Sequence, residues 1–174
     1  MSEKGTTRLT VSQPAPVKGL ERPFSTYQSM KSLIESASSA LLLVSFDLRE
    51  TARDLVGSVA DRASAGVRVT FCLDDEQGGV TVLRRIWPKG APPPRLLVPN
   101  RKVWPKGHLH AKVIVADTRR ALITSANLTG PGVDSNLEVG VMVAENVARD
   151  LHRYMMTLLR SGVLAEKSLG APET

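Results

Sequence analysis

Apolar positions along the chain alternate between a helical and a strand period. Tyr27, Met30, Leu33, Ile34 and Ala37 recur at helical spacing, and Ser25 with Gln28 writes a Ser-x-x-Gln capping box at the head of that run. Ala40-Leu-Leu-Leu-Val-Ser-Phe46 is a short apolar run of the kind that fills a buried strand. Leu55, Val56, Val59, Ala60 and Ala63 return to helical spacing, with Gly66 as the stop. Val67–Leu73 reads as another strand, Asp74-Asp-Glu-Gln-Gly-Gly as a turn, and 80–86 as a short helix. Prolines at 88, 92, 93, 94, 99 and 105 leave room for one short strand, around Arg95–Val98. Strand patterns follow over His108–Ala116, Arg120–Thr124 and Leu137–Val143. Val147, Leu151, Tyr154, Met155, Leu158 and Leu159 then line one face of a last helix that ends near Gly162. Leu9–Val11 adds a short edge strand near the start.

This order predicts an α/β domain, a layered mixed β-sheet flanked by helices. At 174 residues there is room for one such domain, set at 9–165 between flexible tails at 1–8 and 166–174. A composition of 42% hydrophobic and 23% charged residues excludes collagen-like, low-complexity and wholly disordered chains. At 4% aromatic, the core falls to Leu, Val, Ile and Ala, which argues against a module that binds single strands mainly by base stacking. The one cysteine, Cys72, lies inside a strand pattern and is expected to pack; no internal disulfide can form. No window approaches a membrane span and the first residues hold no apolar leader core. The expected location is the cytoplasm, without stable membrane insertion.

Charge sharpens the functional question. Lys plus Arg number 23 against 17 Asp plus Glu, a net +6, which points to a polyanionic partner. No acidic residue occurs from Gln77 to Ala116, while Arg84, Arg85, Lys89, Arg95, Arg101, Lys102, Lys106 and Lys112 fall there and Arg119 and Arg120 follow. Folded onto one face, this stretch would set a positive potential beside whatever site it adjoins.

The segment 108–140 carries the chemistry. On a strand, side chains two apart share a face, so His108, His110 and Lys112 point one way. Followed by the small polar loop Thr124-Ser-Ala-Asn127, they suit a phosphate. Lysine supplies charge, serine and asparagine supply neutral donors, and imidazole attacks phosphorus or carries protons. Asp117, five residues past Lys112, falls on the opposite face, which suits a structural ion pair or a turn contact. As metal ligands, His108 and His110 lack a thiol or carboxylate at suitable spacing.

These residues resemble the H-x-K-x4-D-x6-G-S-x-N motif of the phospholipase D superfamily. His110, Lys112, Asp117, Ser125 and Asn127 fall on it with both gaps intact, and Thr124 stands where glycine is usual. Asn136-x-Glu138 resembles the acidic element that follows. The resemblance implies a phospholipase D/nuclease-like fold with His110 as a nucleophile that forms a phosphohistidine. It implies Lys112 and Asn127 on the non-bridging oxygens, a further hydrogen bond from Ser125, and Glu138 orienting an imidazole. Asp117 is expected to be structural. His108, Arg101, Lys102 and Lys106 are expected on substrate phosphates. No metal and no other cofactor is called for, since lysine and asparagine supply the charge stabilisation.

Sites of this superfamily use two such motifs, one histidine attacking and the other protonating the leaving oxygen. The remaining histidine, His152, lies in the last helix pattern with Tyr154 two residues on. The chain therefore holds half a site, and a twofold homodimer is the expected completion. The expected function is a metal-independent nuclease, on DNA ahead of RNA. Leu9–Leu48 also resembles phospholipase D-like proteins found beside bacterial defence systems such as DISARM, which adds other defence subunits as expected partners. Two alternatives stand beside this reading. One is a phospholipase or phosphatidyltransferase, with Trp87 and Trp104 facing lipid. The other is a nucleic-acid-binding subunit that keeps the motif without catalysis, for which Thr124 is the hint.

Overall fold

The computed structural model describes residues 7–12, 25–129 and 136–170. After β1 (Arg8–Ser12) and α1 (Thr26–Glu35), the chain lays down β2 (Ala40–Ser45), α2 (Arg53–Ser64), β3 (Arg68–Leu73), α3 (Gly79–Ile86) and β4 (Arg95–Pro99). β2, β3 and β4 pair in parallel, as strands joined through crossover helices do. Then β5 (Val113–Ala116), β6 (Arg120–Thr124) and β7 (Glu138–Ala144) run antiparallel, α4 (Asn146–Arg160) follows, and β8 (Leu164–Lys167) pairs with β4. The sheet order is β1-β7-β6-β5-β2-β3-β4-β8. This is the mixed sheet that the strand and helix order predicts, with Leu9–Val11 inside its edge strand.

Local chemistry accounts for the boundaries. Ser25 Oγ accepts from the Gln28 amide at 3.5 Å at the head of α1. Gly66, at φ +88°, takes the left-handed turn that ends the α2 segment. The core has two layers. Leu41 and Leu43 join Phe71, Leu73, Leu96, Ile114 and Leu122 under α1, α2 and α3. Leu42 and Val44 join Cys72, Leu97, Val113, Val115 and Ala121 under α4, through Ala148 and Met155. Cys72 is fully buried, and burial pushes its thiol up to about 12, so it packs as an inert apolar group.

Four expectations need correction. The strand placed at His108–Ala116 begins only at Val113; residues 108–111 approach it without ladder pairing, and Lys112 joins through its carbonyl alone, which accepts from the Thr124 amide at 3.1 Å. A γ-turn, described below, replaces strand geometry at its start. Residues 166–170 are not a tail: β8 continues through Lys167, and Leu169 is buried in the core under the helices. Four residues of strand with one buried side chain leave no readable alternation. Residues 1–6 and 171–174 of the expected tails lie outside the described residues, while Arg8 already belongs to β1. The fourth concerns α4. Its buried line runs through Ala148 and Met155, leaving Val147 48% and Tyr154 62% exposed.

Among the described residues, one part of the sheet on the α4 side carries exposed apolar side chains. By register, Val139 and Val141 of β7 and Leu9 and Val11 of β1 lie on the α4 side, in line with Ile123 and Ala121. Leu9 is 54% and Val139 50% exposed, and Leu137 just before β7 is exposed too. On the opposite face the same strands are covered: Thr10 is fully buried and α1 packs across them. No helix among the described residues is long and apolar enough to cross a membrane.

Candidate active site

The candidate residues meet at one end of the sheet. There β1, β2 and β6 end, while β5 and β7 begin. His110 lies just before β5, Ser125 and Asn127 just after β6, and Glu138 opens β7.

His108 and His110 are not related by strand alternation. The His110 amide donates to the His108 carbonyl at 2.9 Å, a γ-turn that re-aims both rings. Lys112 still reaches His110. Its Nζ lies 3.2 Å from Nδ1 and 3.3 Å from Nε2, and donates to the His110 carbonyl at 2.8 Å. An ammonium nearly equidistant from both ring nitrogens sits over the imidazole face, because an in-plane position would collide with Cε1. The lone pair of a neutral imidazole lies in the ring plane, so the lysine does not cover it. Lys112 is buried, and burial lowers its pKa, with Glu138 opposing that shift.

Asn127 is oriented by its oxygen. Oδ1 accepts from the Asp47 amide at 3.2 Å, with Ser45 Oγ 3.5 Å away, which leaves the Nδ2 donors for a ligand. Ser125 Oγ donates to Glu138 and accepts from the Val139 amide at 3.1 Å. Among the described residues, Glu138 contacts neither imidazole within the chain. Thr124 fits without a left-handed backbone: it closes β6, and its Oγ1 accepts from the Ala126 amide at 3.1 Å. Room for it comes from across the ladder. A Cβ on Gly140, its β7 partner, would lie 2.9 Å from the Thr124 Cβ and 2.8 Å from Thr10 Oγ1.

Asp117 sits at the far end of the hairpin between β5 and β6. With Thr118 it takes positive φ in the three-residue connection between the paired Ala116 and Arg120, where the Arg119 amide donates to the Ala116 carbonyl at 3.0 Å. Its carboxylate accepts from the amides of Ser38, Ser39 and Ala40 and from both serine hydroxyls. Burial alone would raise its pKa, but the hydrogen bonds from Ala40, Ser39 and Ser38 outweigh that and hold the carboxyl well below the ordinary range. The contribution to stability is therefore full above about pH 4, the ordinary aspartate value, and is lost as pH falls through the lowered folded value. Asp117→Asn is expected to cost about 2 kcal/mol at pH 7 after allowing for solvent screening. Denaturant melts should show its gap to the parent closing on acidification; a constant gap would contradict this role.

The basic stretch does not fold onto one face. Arg85 pairs with Glu50, Arg95 with Glu166, and Arg84 donates to the Leu169 carbonyl at 2.5 Å. Arg119 and Arg120 lie at the opposite end of the sheet from His110, because the hairpin carries them away. Arg101 is engaged by Asp74 at 3.1 Å, Glu76 at 2.7 Å and the Gly107 carbonyl at 2.7 Å. Asp74, fully buried, also accepts from the Leu109 amide at 2.8 Å, so it pins the loop that delivers His110. His108 joins this group, with Nδ1 3.3 Å from Glu76 and 3.7 Å from Asp74. The carboxylates missing from its sequence neighbourhood come from the end of β3, and Arg101 balances them. Exposed Lys102 and Lys106 keep side chains without an ion pair among the described residues.

Three residues of the site escaped sequence reasoning. Asp74 reads as turn and Ser45 as strand interior. The Phe46 ring lies 4.8 Å from that of His110 and 5.5 Å from that of His108, centroid to centroid.

Comparison with known proteins locates this arrangement. A family model described as "Cardiolipin synthase, PLD-like domain" matches residues 30–159. The DISARM protein DrmC of Bacillus paralicheniformis is 24% identical over 136 residues, 78% of this chain; the match spans 57% of that protein's length. The fold is shared with Nuc of Salmonella typhimurium, a phospholipase D family member, at a TM-score of 0.71 and 16% identity, over 94% of this chain and 99% of that one. NucT from Helicobacter pylori gives a TM-score of 0.69 and 19% identity, over 91% and 98%.

Proposed function

Because the chain belongs to the phospholipase D superfamily, we propose that it hydrolyses phosphodiester bonds of nucleic acid without a metal, as a homodimer. The observation that carries this reading is the Lys112 ammonium lying over the face of His110, clear of the imidazole lone pair. In the proposed reaction a ring nitrogen of His110 attacks phosphorus and the bond to the leaving oxygen breaks. That oxygen takes a proton from His110 of a second copy. Water then attacks the phosphohistidine, the nitrogen–phosphorus bond breaks to free His110, and the water's proton goes to the second imidazole. Lys112 and the Asn127 Nδ2 group hold the non-bridging oxygens as charge builds, and Ser125, kept in place by Glu138, stands beside them. Lys102 and Lys106 attract the polyanion. DNA is the first expected substrate, and by its DISARM relative the chain works beside other subunits of an anti-phage defence system in the cytoplasm.

The bare apolar strip of β7 and β1 supports the dimer. It starts at the end of β7 that carries Glu138, and it suits a second copy better than water. Val139→Asp is expected to bring the sedimenting mass to that of one chain and to lower cleavage at least about 10-fold, with the melting temperature nearly unchanged. A Val139→Asp protein that stays dimeric would remove the strip from the interface.

One assay series tests the activity: plasmid, single-stranded DNA, RNA and phospholipid vesicles, each with and without EDTA. Cleavage of nucleic acid in EDTA is expected. Lipid turnover alone, or cleavage abolished by EDTA, would overturn the reading.

A further inference from the structure

Phe46 is out of place as a core residue. It belongs to neither hydrophobic cluster of the fold, although it directly follows a strand whose residues Leu41–Ser45 are all buried. What its ring meets instead is polar: the imidazoles of His110 and His108 and, 5.6 Å from its centroid, the Lys112 ammonium. The ring of His110 is tilted at 52° to it, while His108 meets it edge-on at 74°. Aromatic pairs at these separations have preferred geometries, and an ammonium near a phenyl face is attracted to it.

The backbone around Phe46 is held just as closely. Ser45 Oγ donates to the Asp47 carbonyl at 2.7 Å and accepts from the Leu128 amide at 3.0 Å. The Asp47 amide holds Asn127 Oδ1. Ser45, Phe46 and Asp47 thus touch both halves of the site: the flanking residues grip Asn127 and Leu128, and the ring grips His110.

We propose that Phe46 is a positioning residue, which fixes the plane of the His110 imidazole relative to Lys112 and ties it to the Asn127 donor. This rests on His110 being the nucleophile. The physical reason is geometric. His110 is exposed and follows a γ-turn, so its own backbone leaves the ring free to swing, and a displaced nucleophile loses attack geometry.

The test compares Phe46→Leu, which keeps an apolar side chain, and Phe46→Tyr, which restores a ring, with the parent dimer. Phe46→Leu is expected to lower kcat on a DNA substrate roughly 10- to 100-fold, with KM changed less than about twofold, and Phe46→Tyr to recover most of it. In 1H–13C spectra the His110 ring signals should lose their ring-current shift in Phe46→Leu and regain it in Phe46→Tyr. Unmoved His110 signals would overturn the proposal. So would an unchanged kcat, or a loss confined to KM, which would make Phe46 a substrate contact. The ring signals do not depend on turnover. They separate failure of the Phe46 role from failure of the nucleophile reading, which would show instead as full cleavage by a His110→Ala protein.

Discussion

His110→Ala is expected to abolish cleavage, lowering kcat/KM by at least about 10³-fold, the scale on which loss of a covalent nucleophile is felt. The loss has two sources. The bond from nitrogen to phosphorus can no longer form, and in a dimer the same substitution removes the acid that protonates the leaving oxygen. Binding of nucleic acid should survive, because Lys102, Lys106 and Lys112 remain. The fold should survive too, since His110 is exposed and its hydrogen bond within the γ-turn is made by the backbone. Steady-state cleavage with binding measured in parallel checks this. Retained cleavage would place the nucleophile elsewhere.

Lys112→Met ranks next, with an expected loss of about 10²- to 10³-fold in kcat, the effect of removing one strong donor to a developing oxyanion. Methionine keeps most of the buried length, so the melting temperature should move little. The pH dependence gives a second readout. Burial lowers the Lys112 pKa and Glu138 partly opposes that. The cation is needed, so activity should fall as pH rises through this lowered value, earlier than for a solvent-exposed lysine. Glu138→Gln withdraws the opposing charge and should move that alkaline fall to still lower pH. An alkaline limb unmoved by Glu138→Gln would separate the two groups.

What the sequence makes legible here follows from how locally each feature is encoded. The spacing of His110, Lys112, Asp117, Ser125 and Asn127 is readable because these residues sit on or beside one β-hairpin, where separation along the chain translates directly into position. Asp117 lies at the far end of that hairpin, where its carboxylate accepts from the segment Ser38–Ala40; alternation speaks of faces and does not place it there. The helices α1 and α2 announce themselves through period and end signals.

The remainder depends on contacts across the sheet. Arg101 reads as one more cation until Asp74 and Glu76, a strand away, are seen to engage it. The run of positive charge dissolves for the same reason, since Glu50 and Glu166 come from distant elements. The strand expected from His108 begins only at Val113, and the γ-turn ahead of it looks like alternation in one dimension. Thr124 stands where glycine is usual, and the space it needs is provided by Gly140 on the next strand. Phe46 carried no signal, because nothing in a strand's apolar run says which residue escapes the core.

The central claim is that each chain holds half a site and that a second copy completes it. Subunit exchange between parent and His110→Ala chains tests this most directly. At equal amounts and fixed total protein, only parent–parent dimers hold both histidines, so activity should fall to roughly one quarter of the parent value. A fall to only roughly one half, as for chains that each work alone, would contradict the shared site.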